Sequence, residues 1–433
     1  MVDDGSRVSE ERPEILVDCG YTYFGQFIAH DLTKDISSID EVWRKDPRDL
    51  PNLQSARLDL EVLYGAGPER SPDLYENDLV RLKVGQSKQH ASAFDICVGA
   101  KGERILADDR SAANLILRQM TAAFARLHNF AVEQFRKDIP EPRKLFQAAR
   151  QQVQRQFEWL VCKDYLRSIL DPDVFKSVFV CRKAKIEWKL FSIPIEFAAA
   201  AMRFGHAMVR PNYLFSFGHD MLLQNVLGRT SQRGAVAEER RIRWGFFFKG
   251  AGPGRTVHAR PIDTRLAPVL QHLPDDLIGA AQIACPHFRI AQNPSQLATR
   301  TLLRGAGLRL ASGQAVAHAL GEEVLTEEEL TRNCDGQLTE QGNVLRRANL
   351  LKETPLWYYI LKESEVRHNG NRLGPVGSHI VAETIYAALR SDPDSCLHQT
   401  DSDRSTAPPS WEFSDGPRRI YGLSEFFRLA PLM

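Results

Sequence analysis

Three short segments of this chain carry residue types that can do chemistry. In YTYFGQFIAHDLT (21–33), Gln26 and His30 stand four apart and share one face of a helix. A neutral imidazole beside an amide, among aromatic residues that limit water, suits a general base that takes a proton from a small ligand. Taken alone, a histidine in an apolar helix is more often a hydrogen-bonded core residue. In LADDRSAAN (106–114), Arg110 offers a permanent positive charge to a polarising bond, or else a surface ion pair with Asp108 or Asp109. In EFAAAAMRFGHAMVRP (196–211), His206 follows a run of alanines and a glycine. Small residues there clear the space a flat macrocycle needs to approach a helix backbone, although they also suit a close helix–helix contact. Arg203, three residues earlier, lies on a nearby face and can meet a carboxylate.

Helical periodicity predicts the elements that must hold these residues. Ile116, Met120, Ala123, Leu127 and Ala131 draw one stripe. Phe146, Val153, Phe157, Leu160 and Val161 draw another, ending before Asp171 and Pro172. Pro194 suits a first helical turn, so a helix is expected through IEFAAAAMRFGHAMV until Pro211 stops it. TPLWYYILKESEV and SHIVAETIYAALR predict two more. Alternating runs are few, and ARLDLEVLYG (56–65) is the best candidate strand. Loops rich in glycine, proline and charge fall at about 66–93, 216–240, 249–256 and 391–417. None is long or biased enough to link independent domains. The expectation is a mainly α chain with few short β-strands, a single large helical domain over 20–433 after an extension at 1–19.

Bulk composition excludes several classes. Lysine and arginine (56) balance aspartate and glutamate (55), so a net charge of +1 gives no electrostatic case for nucleic acid or an anionic membrane. Seven cysteines (19, 97, 162, 181, 285, 334, 396) are scattered and form no C-x-x-C pair. That pattern is neither a disulfide framework nor a zinc site and fits a reducing compartment. The start, MVDDGSRVSEERPE, is acidic and polar, unlike a secretory signal. No apolar stretch reaches about 18 residues, so no membrane span is expected and the predicted location is the cytoplasm.

Taken together and in order, FGQF-x-x-HD, DR-S and RFGH-x-M-x-RP resemble the animal haem peroxidase family, the myeloperoxidase-like or peroxidase–cyclooxygenase superfamily, and its intracellular microbial branch most. LYG (63–65), FARLHN (124–129), RPIDTRLAP (260–268), LLRGAGLRLASGQAVA (302–317), TPLWYYILKESEV (354–366) and LGPVGSHIVAE (373–383) extend the resemblance over nearly the whole chain. It implies an animal-haem-peroxidase-like catalytic domain with His30 as distal base, Gln26 beside it over the haem face, and Arg110 as distal cation. It makes His206 the proximal iron ligand, and Arg203 and Arg304 the partners of the haem propionates. The implied reaction uses hydrogen peroxide to oxidise a small organic reductant, an aromatic one of the phenol or indole kind, in a biosynthetic setting. The haem supplies the redox chemistry while the protein supplies ligand, proton shuttle and field.

The chain also departs from that family. Ala29 and Ala113 stand where several vertebrate members attach haem through ester bonds, and a methyl group cannot form one. Asn114 replaces a linking methionine, so non-covalent haem b is expected, without chloride oxidation. Thr301 stands where the family places an asparagine that orients the proximal histidine. Asp31 and the segment SARLDLE (55–61) align with a calcium loop, with Ser55, Asp59 and Glu61 and the Arg57 carbonyl as hard oxygen ligands. The other reading of that segment is an exposed, charged β-edge. The chain begins shortly before the distal helix, where many relatives carry an upstream segment.

Two other functions stay open at this stage. A fatty-acid dioxygenase or peroxygenase of the same superfamily would place a tyrosine three residues before the proximal histidine, where this chain has Arg203. A degenerate haem-binding protein would have no reason to keep Gln26, His30, Arg110 and His206 together. Oligomeric state is not legible in the sequence.

Overall fold

Asn114 opens the longest helix, Leu115–Phe135, by accepting the Leu117 amide on its side chain at 2.7 Å. Glu141 caps the next, Pro142–Trp159, through the amides of Arg143 and Lys144. The two pack antiparallel, and the second continues through a wide π-type stretch, Leu160–Tyr165, into Leu166–Ile169. In the computed structural model the described residues are 17–35, 37–86, 94–186, 191–216, 219–228, 240–278, 295–398 and 407–433. Cys285 and the extension as far as residue 16 lie outside them.

Helix Gly20–Leu32 lies across this pair. Phe27 stacks on Phe124 at 5.1 Å and meets Phe157 edge-on at 5.7 Å, so one aromatic cluster ties three helices. Nearby, Leu356–His368 packs on Pro375–Ser391, both at the predicted places. The C-terminal helix Leu423–Leu429 closes the core where Phe426 meets Phe124 at 4.6 Å. Among the described residues, strands are confined to three small antiparallel sheets: Val84–Gln86, Phe94–Val98 and Arg104–Ile105; Asn212–Ser216 and His219–Leu222; Ser410–Phe413 and Gly416–Arg419. The fold is mainly α, as the periodicity implied. Among the described residues no helix is long and apolar enough to cross a membrane.

Two local expectations fail, each for a tertiary reason. The strand expected at 56–65 is instead a series of bends followed by the short helix Glu61–Tyr64. The Asp31 carboxylate takes the amides of Leu60 (3.0 Å) and Val62 (3.2 Å), which a sheet would have used, while Ala56 and Leu60 adopt φ of 58°. The single helix expected from Pro194 breaks at Ala200 (φ −129°, ψ −68°) into Ile195–Ala199 and a 3-10 helix, Ala201–His206. Trp357 donates its indole N–H to the Arg203 carbonyl at 3.1 Å, the acceptor an α-helix would have given to Ala207; the Ala207 amide bonds Phe204 instead. A 3-10 turn brings residues three apart into line, so Arg203 and His206 share an edge.

Candidate active site

On helix Gly20–Leu32 most side chains are buried, but Gln26, Ala29 and His30 keep accessible surface on one face. These residues form a partly accessible stripe on an otherwise buried helix. Asn114, besides capping its own helix, donates to Gln26 Oε1 at 3.0 Å and so ties the start of Leu115–Phe135 to that face. Ala113, also partly accessible, stands beside it. Neither alanine offers a carboxylate to a cofactor.

Arg110 makes the ion pair that its sequence allowed and adds contacts to the His30 helix. Its Nε and Nη2 grip buried Asp108 (3.0 and 2.7 Å), while Nη1 donates to Thr33 O (2.6 Å) and Nη2 to His30 O (2.9 Å). The guanidinium thus caps the C-terminal end of the His30 helix, where carbonyls lack helical partners. Burial opposes ionisation of Asp108, but the bonds from Arg110 outweigh it and hold the carboxyl well below the usual range. The ion pair with Asp108 is real, though partly buried rather than on the surface.

The 3-10 helix bearing His206 packs directly on the His30 helix. His206 lies deep in the protein yet keeps accessible surface, and a side chain built at Gly205 would meet nothing within 4 Å among the described residues. Open space therefore lies beside Gly205, next to His206 in the chain. Burial, helped by the Arg203 charge, pushes the His206 pKa down to about 3, so the ring is neutral at ordinary pH. Its Nδ1 is buried without a hydrogen-bond partner among the described residues. Thr301 does not orient it. The Thr301 hydroxyl donates to Leu297 O at 2.9 Å within its own helix, Leu297–Gly307, the usual recourse of a helical hydroxyl.

Arg203 and Arg304 come together as the resemblance implied. Both line one cavity of about 300 Å³ with Arg110, Arg300 and Asp35, whose walls include neither His30 nor His206. Arg304 pairs with Asp35 and reaches Ser37 O at 3.3 Å. Arg203 has its Nε on Ala198 O (3.1 Å) and no carboxylate bonded to it among the described residues. Burial first, then Arg304 and Arg300, pushes its pKa down to about 9. Guanidinium groups crowded against one aspartate call for anionic oxygens. A neutral imidazole, open space at the adjacent glycine and this cationic end fit a haem with its two propionates.

The calcium expectation fares less well. Asp31 is fully buried, and burial, then Asp59 and Glu61, raises its pKa, so three carboxylates do converge. Their oxygens serve the loop itself: Ser55 Oγ donates to Asp59 at 3.1 Å, the Ser55 amide to Glu61 at 2.9 Å, and the Arg57 amide to Ser55 Oγ at 3.3 Å. Among the described residues no group of three His, Cys, Asp or Glu has metal-ligand geometry.

Sequence reasoning missed Arg300 and Trp357, and singled out Asn114 only as the replacement of a linking methionine, not as the partner of Gln26. Arg300 stands one helical turn before Arg304, a spacing that could have exposed it. Trp357 meets His206 edge-on, ring centres 6.0 Å apart and planes at 75°, and an aromatic residue in an apolar helix carries no signal for such a role.

The animal haem peroxidase family matches residues 29–232, and no curated protein matches the chain. Among solved structures, peroxidase A from Dictyostelium discoideum is similar over 88% of this chain and 80% of its own, with a TM-score of 0.61 and 16% identity. A fatty acid alpha-dioxygenase from Arabidopsis thaliana is similar over 91% and 69% (TM-score 0.63, 14% identity). One from Oryza sativa is similar over 96% and 73% (0.61, 12%). At such identities the structures speak for the fold, and the family match speaks for the segment joining His30 to His206. Over residues 29–232 the chain is thus similar to the animal haem peroxidases, a family whose members bind haem and act as oxidoreductases, and its fold is shared with a peroxidase and with fatty acid alpha-dioxygenases.

Proposed function

We propose that this chain is a haem-dependent peroxidase that uses hydrogen peroxide to oxidise a small, aromatic organic substrate, with haem b held non-covalently. One observation carries the reading: a neutral imidazole, His206, keeps accessible surface next to the open space at Gly205, on an element packed against the His30 helix. When bound, haem supplies the redox centre that takes oxidising equivalents from peroxide. His206 offers it a ring nitrogen; Arg203 and Arg304 hold its propionates. His30 takes a proton from one peroxide oxygen and returns it to the departing one. Gln26, held by Asn114, positions the small ligand, and Arg110 fixes the end of the helix on which His30 stands. Ala29 and Ala113 support the absence of ester links.

The rival is a fatty-acid dioxygenase, which the likeness to two such structures brings forward. Arg203 tells against it, because a guanidinium cannot form the radical that a tyrosine can. The test is haem reconstitution of the purified chain followed by addition of peroxide. Wild type should gain a Soret band that shifts on peroxide and should oxidise a phenol. His206→Ala should lose the band, and His30→Ala should keep it while oxidation falls roughly 10²–10⁴-fold. Absence of the band, full activity in His30→Ala, or oxygen uptake with a long-chain fatty acid and no peroxide would overturn the proposal. Calcium has the convergence of Asp31, Asp59 and Glu61 in its favour, and metal analysis after exhaustive dialysis decides it.

A further inference from the structure

Trp357 belongs to two sites at once. Its ring contacts His206 edge-on, its N–H is fixed on Arg203 O, and it is 2% exposed. It also lines a second cavity of about 430 Å³ that includes none of His30, His206 or Arg203. Leu302, Leu310, Ala199, Ala306, Ala311 and Ala315 form its walls, with Glu353 the one charged residue lining it. Ala306, Ala311, Ala315 and Glu353 are exposed, so the cavity opens to solvent and has the buried indole at its inner end. The volume lies in the range of small-molecule sites, apolar walls favour an apolar body, and the carboxylate at the mouth repels anions.

We propose that this second cavity binds a neutral or cationic aromatic electron donor, a phenol or an arylamine, and that Trp357 relays its electrons to the haem side of His206. The inference rests on the peroxidase reading above and names where its reductant sits. Indole is among the most readily oxidised side chains, and here it bridges two spaces that no single small molecule occupies together. The balance is simple. One hydrogen peroxide takes up two electrons and two protons to give two waters. Two donor molecules each lose one electron through Trp357 and one proton to water at the open mouth, where Glu353 can accept it. Trp357 gives up an electron and regains it, and is unchanged over the cycle.

The test uses the haem-loaded full chain, frozen after mixing with hydrogen peroxide and read by electron paramagnetic resonance. Wild type should show a tryptophan-type radical that falls at least ten-fold in Trp357→Phe and whose signal narrows when the wild-type chain carries ring-deuterated tryptophan, a change that a shifted His206 helix cannot produce. Ala315→Phe narrows the mouth: the radical should still form, but its decay on adding 2-naphthol should slow at least ten-fold. Trp357→Tyr, which keeps an oxidisable ring, should restore part of the naphthol oxidation lost in Trp357→Phe. An undiminished radical in Trp357→Phe overturns the relay, and unchanged decay in Ala315→Phe overturns the donor cavity. In either case a normal Soret band and peroxide response leave the peroxidase reading standing, whereas failure of wild type to bind haem removes both.

Discussion

Arg203 is a partly buried cation with no bonded carboxylate among the described residues, crowded by Arg300 and Arg304. Such a group costs stability in the empty protein and repays it when an anion arrives. Arg203→Met should therefore raise the melting temperature of the haem-free chain while weakening haem binding about ten-fold, the size of one charge-assisted hydrogen bond. A titration of both proteins with haemin, alongside thermal melts without it, checks the two signs together. His128 gives a residue-scale prediction of another kind. Its Nε2 lies 2.8 Å from Val80 O and so must donate, leaving Nδ1 to accept from the Tyr64 hydroxyl at 3.1 Å. Burial pushes its pKa down to about 4 from an ordinary 6.5. Above pH 6.5 folded and unfolded chains are both neutral there. Between 6.5 and 4 only the unfolded chain takes the proton, so stability falls with pH by on the order of 3 kcal/mol in all. Urea unfolding at pH 7 and pH 4.5 should show that loss in wild type and a flatter dependence in His128→Gln.

At the scale of elements, the His30 helix sits where it does because two glycines let its neighbours in. A methyl at Gly25 would fall on the Tyr165 hydroxyl, and one at Gly20 on the Phe248 ring. Tyr165 ends the π-type stretch Leu160–Tyr165, so a close helix–helix approach meets a local widening of the partner. Gly25→Ala should cost about 1–3 kcal/mol by overpacking, read as a lower denaturation midpoint with an unchanged slope. Because His30 lies one and a half turns beyond, a phenol-oxidation rate that falls while haem binding persists would show that the helix has shifted. The 3-10 helix carrying His206 depends on Trp357 in the same way, through a carbonyl taken from the helical ladder.

Across the whole molecule, the last residues close over the site's supporting helices. Arg126 on Leu115–Phe135 donates to Ala430 O (3.2 Å) and Pro431 O (3.3 Å), and Trp244 and Phe248 stack on Phe427 at 4.0 and 4.8 Å. Phe248 is also the ring beneath Gly20. Deleting residues 423–433 removes Phe426 and Phe427 from a shared core and bares Phe124 and Trp244. The truncated chain should aggregate or melt well below the full chain, and limited proteolysis should cut near residue 248 first. A melting temperature within 2 °C or so of wild type would contradict this account.

The sequence determined the helices with unbroken periodicity and the shared face of Gln26 and His30, since spacing along a chain is enough to align side chains on one element. It could not reveal that Asp31 withdraws the amides of Leu60 and Val62 from a strand, that Trp357 unwinds the helix at His206, or that Arg110 caps the helix it was expected to work beside. Each of those depends on a hydrogen-bond partner between 29 and 154 residues away, present only once the chain has folded. Backbone donors and acceptors take whatever partner burial offers, and only the tertiary structure decides which one that is.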